Sequence, residues 1–251
     1  MSDDNLKLDE DGLIRLQKLL AQSGVASRRR CEELMLAGLV EVDGEIVTRL
    51  GTKVDPTTAV IRVEGRRLPP VTAHVYLVLN KPRGVVSTMS DPEGRRTLSD
   101  YVEDRPERLF HVGRLDTDTE GLILLTNDGD FAQRVAHPSY ELQKTYVAEV
   151  DGVMSKATVK RLLEGVTLED GPVEVSACKV ISSQGERSIV ELVIHEGRNR
   201  IVRRLLDEVG HPVRRLTRTA IGPVQVRGLR HGALRELTLD ELGVLLDAAE
   251  L

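Results

Sequence analysis

From Val75 onward the chain offers one strand after another with no regular crossover helix between them, and this constrains the fold more than any single motif. The stretches "VYLVLNKP" (75–82), "GLILLTND" (121–128), "KTYVAEV" (144–150), "VEVSACKVI" (173–181) and "SIVELVIHEG" (188–197) read as strands. Only "SKATVKRLLEG" (155–165), "NRIVRRLLDEVG" (199–210) and the terminal "TLDELGVLLDAAE" (238–250) read as helices, the last opened by a capping box from Thr238 to Glu241. A doubly wound nucleotide fold needs a helix after nearly every strand. The order here predicts an α+β domain with a mixed, mostly antiparallel central sheet flanked by helices.

A smaller domain precedes it. In "LIRLQKLLAQS" (13–23), Leu13, Leu16, Leu19 and Leu20 share a helical face, and Gly24 supplies a stop. Ser27 stands as N-cap before "RRRCEELMLA", and Gly38 ends that second helix. "LVEVDGEIV" then alternates on both sides of Asp43-Gly44, a strong hairpin signal, and "AVIRVEG" adds a strand. The predicted organisation is an acidic flexible N-terminus (1–12), a small domain (13–68), a linker centred on Pro69 and Pro70 (69–74) and the large domain (75–251). With 251 residues of which 40% are hydrophobic, the chain has enough material for both.

Composition narrows the function classes. No run approaches the roughly 18 consecutive apolar residues of a membrane span, and "MSDDNLKLDEDG" lacks the basic and apolar regions of a signal peptide, so the expectation is a cytoplasmic chain without a membrane partner. Cys31 and Cys178 then read as reduced core residues and offer no metal framework. The formal charge is -5, but residues 196–235 hold ten Arg and no Lys against three acids. Such a concentration suits phosphate contacts. Only 2% of residues are aromatic, which argues against recognition by rows of stacking rings.

The acidic cluster in "GRLDTDTEGLILLTNDGD" (113–130) admits several roles. "DTDTEG" matches the start of a calcium loop, with Asp116 first and Gly121 at the turn. Its twelfth position is Asn127, however, where a bidentate Glu is needed, and "LILL" fills the loop. A nuclease-type metal site would need further convergent acids. Asp118 and Glu120 read as residues of a solvated turn ahead of a buried strand. Asp116 is different, because an Arg two residues ahead, Arg114, can orient the carboxylate and favour its charged form; a carboxylate so held is a nucleophile or a general base. Arg200, Arg203 and Arg204 have helical spacing and are expected to share a face, one meeting a carboxylate and the others phosphates.

Taken together, "LNKPRGVVSTMSDPEGR" (79–95), "GRLDTDTEGLILLTNDGD", "KTY" (144–146) and "EGRNRIVRRLLDEVGHPVRRLTRTAIGP" (196–223) resemble, in order, the motifs of the ribosomal RNA pseudouridine synthases, in the group of small-subunit synthase A and large-subunit synthase B. The first 65 residues are similar to the S4-type RNA-binding module shared with ribosomal small-subunit protein four. The resemblance implies an S4-like domain ahead of a pseudouridine synthase domain, with Asp116 as the catalytic aspartate. It implies Tyr146 as the tyrosine that packs on the uracil, and Arg203 as the basic partner of the aspartate. Where the family commonly carries Gln, this chain has Ile201. The implied reaction breaks the ribose–uracil N-glycosidic bond and rejoins the ring through carbon, with no metal or cofactor, on a base taken out of its stack.

The implied partner is ribosomal RNA, with 23S favoured over 16S, bound by a monomer, free or in a ribosome-assembly intermediate. A rival of another class is an rRNA-binding assembly factor without catalysis, which would be expected to lose Asp116, Tyr146 or Arg203. The expected RNA contacts are Arg15, Lys18, Arg28, Arg29 and Arg30 in the first domain. In the second they are Lys81, Arg83, Arg114, Arg198, Arg200, Arg204, Arg214 and Arg215. Arg28 and Arg29 open a helix, whose positive end adds to their field.

Overall fold

A computed structural model describes residues 9, 12–56, 58–68, 74–140 and 142–251. Most of the acidic N-terminus and residues 69–73 of the linker lie outside the described residues. The chain divides into two compact units. One runs to Val75 and takes in Pro106–Arg108; the other comprises Tyr76–Arg105 and Leu109–Leu251.

The first unit contains β1 (Ile14–Arg15), α1 (Leu16–Gln22), α2 (Arg28–Leu36), β2 (Val40–Val42), β3 (Glu45–Ile46), β4 (Lys53–Val54), β5 (Ile61–Val63) and β6 (Arg66–Arg67). The first helix starts at Leu16 and not at Leu13, because Ile14 and Arg15 pair with Val54 and Lys53. Leu16, Leu19 and Leu20 still bury one helical face, packing with Cys31, Leu34 and Met35 of α2. Ser27 caps α2, its Oγ accepting from the Arg30 N–H at 3.2 Å. The hairpin turns at Asp43 (φ 52°) and Gly44 (φ 90°), both left-handed, as its tight connection requires. Arg66–Arg67 is a short strand against β5, where the sequence suggests only the approach to a linker.

The second unit is built on a nine-stranded sheet. Its elements are β7 (Tyr76–Lys81), β8 (Phe110–Val112), β9 (Thr119–Thr126), α3 (Gly129–Ala136), β10 (Lys144–Asp151), α4 (Lys156–Leu163), β11 (Val166–Leu168), β12 (Gly171–Val173), β13 (Ala177–Gln184), β14 (Arg187–Ile194), α5 (Ile201–Glu208), β15 (Val213–Ile221), β16 (Val224–Gln225), β17 (Leu234–Glu236) and α6 (Leu239–Ala248). The order is β13-β14-β10-β15-β9-β7-β17, with β8 on β9 and β16 on β15, while β11 and β12 pair separately. The β15–β9 pairing is parallel and the other pairings between these strands are antiparallel. This is the mixed, mostly antiparallel sheet of an α+β domain.

One sequence expectation changes here, and two elements appear that the sequence reading did not name. "VEVSACKVI" is not one strand, since Val173 ends β12 and the chain re-enters the sheet at Ala177, with the Ser176 N–H already donating to Val193 O. Residues 129–136 form α3, capped by Asp128 Oδ1, which accepts from the Asp130 and Phe131 N–H groups at 3.0 Å. The Arg-rich 213–221 is the strand β15 at the centre of the sheet. β9 is buried along its whole length, and its stretch 122–125 accordingly reads as an unbroken apolar run. On one side Leu122, Leu124, Phe131, Val135 and Leu245 form a core with α3 and α6. The predicted capping box on α6 is present. Among the described residues no helix is long and apolar enough to cross a membrane.

Candidate active site

Asp116 sits in the turn between β8 and β9, and this turn is held from one side by the segment after β7. Ser87 Oγ accepts from the Leu115 N–H at 3.1 Å and donates to Leu115 O at 2.6 Å, while the Gly84 N–H donates to Thr117 O at 2.7 Å. The turn closes with the Thr119 N–H donating to Asp116 O at 3.0 Å. Two of the motifs recognised in the sequence therefore brace each other. The carboxylate is left half-exposed beside a cavity of about 370 Å³, whose walls include Asp116, Lys144, Tyr146, Arg200, Leu216 and Arg218.

Arg200 is the cation that meets Asp116, with Nη1 3.6 Å from Oδ2. The same guanidinium grips Asp118 with two bonds of 3.2 and 3.1 Å. It reaches both from a left-handed backbone (φ 48°) just ahead of α5, a conformation that costs a non-glycine residue energy and so points to a functional constraint. Arg203, the expected partner of Asp116, donates instead to Asp118 O at 3.0 Å and lies 3.3 Å from Asp118 Oδ2. It stands behind the Arg200–Asp118 pair, and burial pushes its guanidinium down. Partial burial pushes the Asp118 carboxyl up, but the bonds from Arg200 and the charges of Arg203 and Arg200 outweigh this and hold it below its ordinary range. Arg204 does not share their face. It lies against Asp170 (2.9 Å), because Arg200 precedes the helix and the expected spacing starts one residue later.

Asp118 lies in the turn ahead of β9, partly exposed, as expected, but it is paired there with Arg200 and Arg203; Glu120 does not belong to a solvated turn. Glu120 is buried within β9, where strand alternation points it away from the cavity toward Arg215 Nε (2.6 Å) and Thr217 Oγ1 (3.0 Å) on β15. Tyr146 lies on the buried face of β10, level with Arg218 across the β10–β15 pair. The structure thus brings Asp116 and Tyr146 to one cavity and sets Arg203 one layer behind it.

The expected RNA contacts separate into groups. Lys81 is fully buried, Nζ donating to Pro82 O at 3.1 Å and Val85 O at 2.8 Å, so it is no surface contact. Burial lowers its pKa to about 8 against the opposing charges of Asp116, Asp118 and Glu120. Several arginines are engaged internally: Arg198 with Glu196 and Asp170, Arg204 with Asp170, Arg214 with Asp151, Arg215 with Glu120, and Arg30 with Glu33. Arg15, Arg28, Arg29, Arg83 and Arg114 are exposed, and Lys18 is half-buried. The sequence reading missed Lys144 and Arg218 as cavity residues. For Arg218 a signal existed: in "VRRLTRTAI" it alternates with Leu216, and so shares that residue's face in any strand.

The model of the RNA pseudouridylate synthase family matches residues 75–208. This chain belongs to that family. An S4 domain model matches residues 14–60. An uncharacterised RNA pseudouridine synthase of Mycobacterium leprae is 51% identical over 92% of this chain and 91% of its own length. The protein of Bacillus subtilis named ribosomal large subunit pseudouridine synthase B is 45% identical over 91% of this chain and 93% of its own. Among solved structures, a pseudouridylate synthase superposes with a TM-score of 0.64 at 30% identity, covering 92% of this chain and 99% of that one. The family expected from the motifs, the S4 domain and the enzyme class are therefore established.

Proposed function

We propose that the enzyme isomerises a uridine of ribosomal RNA to pseudouridine, in 23S rRNA, with Asp116 as the catalytic carboxylate. The observation that carries the reading is the convergence of Asp116 and Tyr146 on one cavity, with Arg200 orienting the carboxylate. The relative named for the large ribosomal subunit supports the choice of RNA.

The cavity admits a base that has left its stack, and Tyr146 offers a ring face and a hydroxyl to it. Asp116 then has two routes: a carboxylate oxygen bonds to ribose C1′ as the C1′–N1 bond breaks, or it takes the 2′ proton to leave a glycal. The ring then turns and C5 bonds to C1′, displacing the carboxylate on the first route, while on the second Asp116 returns its proton to C2′; in both the C5 proton departs and N1 gains one. Arg203 steadies Asp118, and through it Arg200. The S4 unit holds the RNA through phosphates. The enzyme acts in the cytoplasm as a monomer, on rRNA still open enough for the base to turn out.

The test maps pseudouridine by carbodiimide labelling and primer extension on both large rRNAs from cells lacking the protein, complemented with wild type or Asp116→Asn. One 23S site should vanish and return only with wild type. Restoration by Asp116→Asn would remove the catalytic assignment, and a lost site in 16S would move the substrate.

A further inference from the structure

The wall of the cavity carries two buried cations to which the proposed reaction gives no part. Arg218 on β15 is 4% exposed and lines the cavity. Its Nε donates to Leu122 O at 2.8 Å, but Nη2 is buried with no hydrogen-bond partner. Lys144 on β10 is 9% exposed and lines the same cavity, its Nζ donating to Leu142 O and His195 O, both at 3.2 Å. Strand alternation puts Lys144 and Tyr146 on one face of β10, and the β10–β15 register sets Arg218 level with Tyr146. Burial and the neighbouring Arg218 push Lys144 down to about 8, so it keeps its charge at neutral pH. The acid that offsets it, Glu196, is also tied to Arg198.

Two buried like charges in one wall, one with an unpaired donor, cost free energy unless something electron-rich is bound against them. Leu216 and Ile221 flank them and Tyr146 lies beside them, which suits a flat ring better than a phosphate. We propose that Arg218 and Lys144 are further catalytic residues, which bind the uracil oxygens and stabilise the negative charge the ring acquires as the glycosidic bond breaks. When C1′–N1 cleaves, the bonding pair stays with N1 and spreads onto O2 and O4. Cations fixed in the wall against those oxygens favour the separated state over the intact nucleotide, as preorganised donors do for other developing anions. The charge returns to carbon as C5 attacks C1′, so the two residues end unchanged and no co-reactant is needed. The inference rests on the proposed role of this cavity.

The test uses full-length protein and two 23S rRNA transcripts, one containing uridine and one containing 5-fluorouridine, whose fluorine stabilises the ring anion by itself. Single-turnover formation of the carbon-linked nucleoside, which on the fluorinated transcript keeps its fluorine on C5, is followed by chromatography with fragmentation mass spectrometry, since the isomers have equal mass, for wild type, Arg218→Gln, Lys144→Met and Asp116→Asn. Arg218→Gln should slow the uridine transcript by about 100-fold or more, with a markedly smaller loss on the fluorinated one; Lys144→Met should show the same pattern more weakly. An equal loss on both transcripts, as from a merely structural role, or no loss on either, overturns the inference. If Asp116→Asn turns over normally, the aspartate assignment fails in its own variant. A wild type that forms no product removes the proposed reaction and this inference with it.

Discussion

Gly121 is the residue on which the site's architecture turns. A Cβ there would lie 2.2 Å from Arg218 O and 2.9 Å from Arg218 N, and its φ of 106° disfavours any side chain. The obstacle is backbone in a central strand, which has no flexible end to move aside. Gly121→Ala should therefore force β9 and β15 apart and cost about 3 kcal/mol, read as a lowered denaturation midpoint, together with loss of turnover as Arg218 shifts. A midpoint within error of wild type would show that the strands separate freely. Arg200 makes the complementary case, since its left-handed backbone is justified only by the carboxylates it meets. Arg200→Ala should lower kcat by about 100-fold through misorientation of Asp116 while leaving RNA affinity nearly intact. Parallel losses in kcat and affinity would instead make Arg200 a phosphate ligand. The importance of Asp116 was legible in "GRLD", but its cation partner was not, because helical spacing says nothing about a residue that sits just ahead of the helix in a left-handed conformation.

Strand β15 joins the catalytic turn to the tyrosine strand, and Glu120 is its polar fastening. Burial pushes the Glu120 carboxyl up, but the bonds from Arg215 and Thr217 outweigh this and hold it below its ordinary 4.5. A carboxyl depressed in the folded state contributes stability above its unfolded value, and that contribution is lost as pH falls through the folded value. Glu120→Gln should thus cost about 2 kcal/mol at neutral pH, and the gap in melting temperature from wild type should close as pH drops below 4.5. A gap constant with pH would remove the ion pair from the stability of this sheet. The strand itself was the hardest element to read. Strongly apolar β7 and β9, the capped α2 and α6, and the Asp43-Gly44 hairpin announce themselves through local chemistry. In β15 the buried alternation runs Leu216, Arg218. A buried arginine scores as surface until the cavity that receives it is known, and a parallel partner so distant in sequence leaves no local trace.

The charge of the chain looks different once its pairs are drawn. Much of the Arg excess between 196 and 235 is matched by acids from elsewhere, so the segment that looks most like an RNA-binding stripe is largely an internal framework. In the S4 unit, by contrast, Arg28 and Arg29 are exposed at the positive end of α2, where a phosphate gains both their charge and the free N–H groups of the helix. Each phosphate neutralised by a side chain releases counterions, so removing it lowers the slope of log affinity against log salt by about 1. Arg28→Ala combined with Arg29→Ala should therefore flatten that slope by about 2 for full-length protein on a 23S rRNA transcript between roughly 50 and 200 mM salt. Arg198→Ala combined with Arg204→Ala should change the slope less, since both guanidinia already hold Asp170. The reverse ranking would mean that the internal pairs open on binding and that the synthase unit grips the RNA with the arginines it uses to hold itself together.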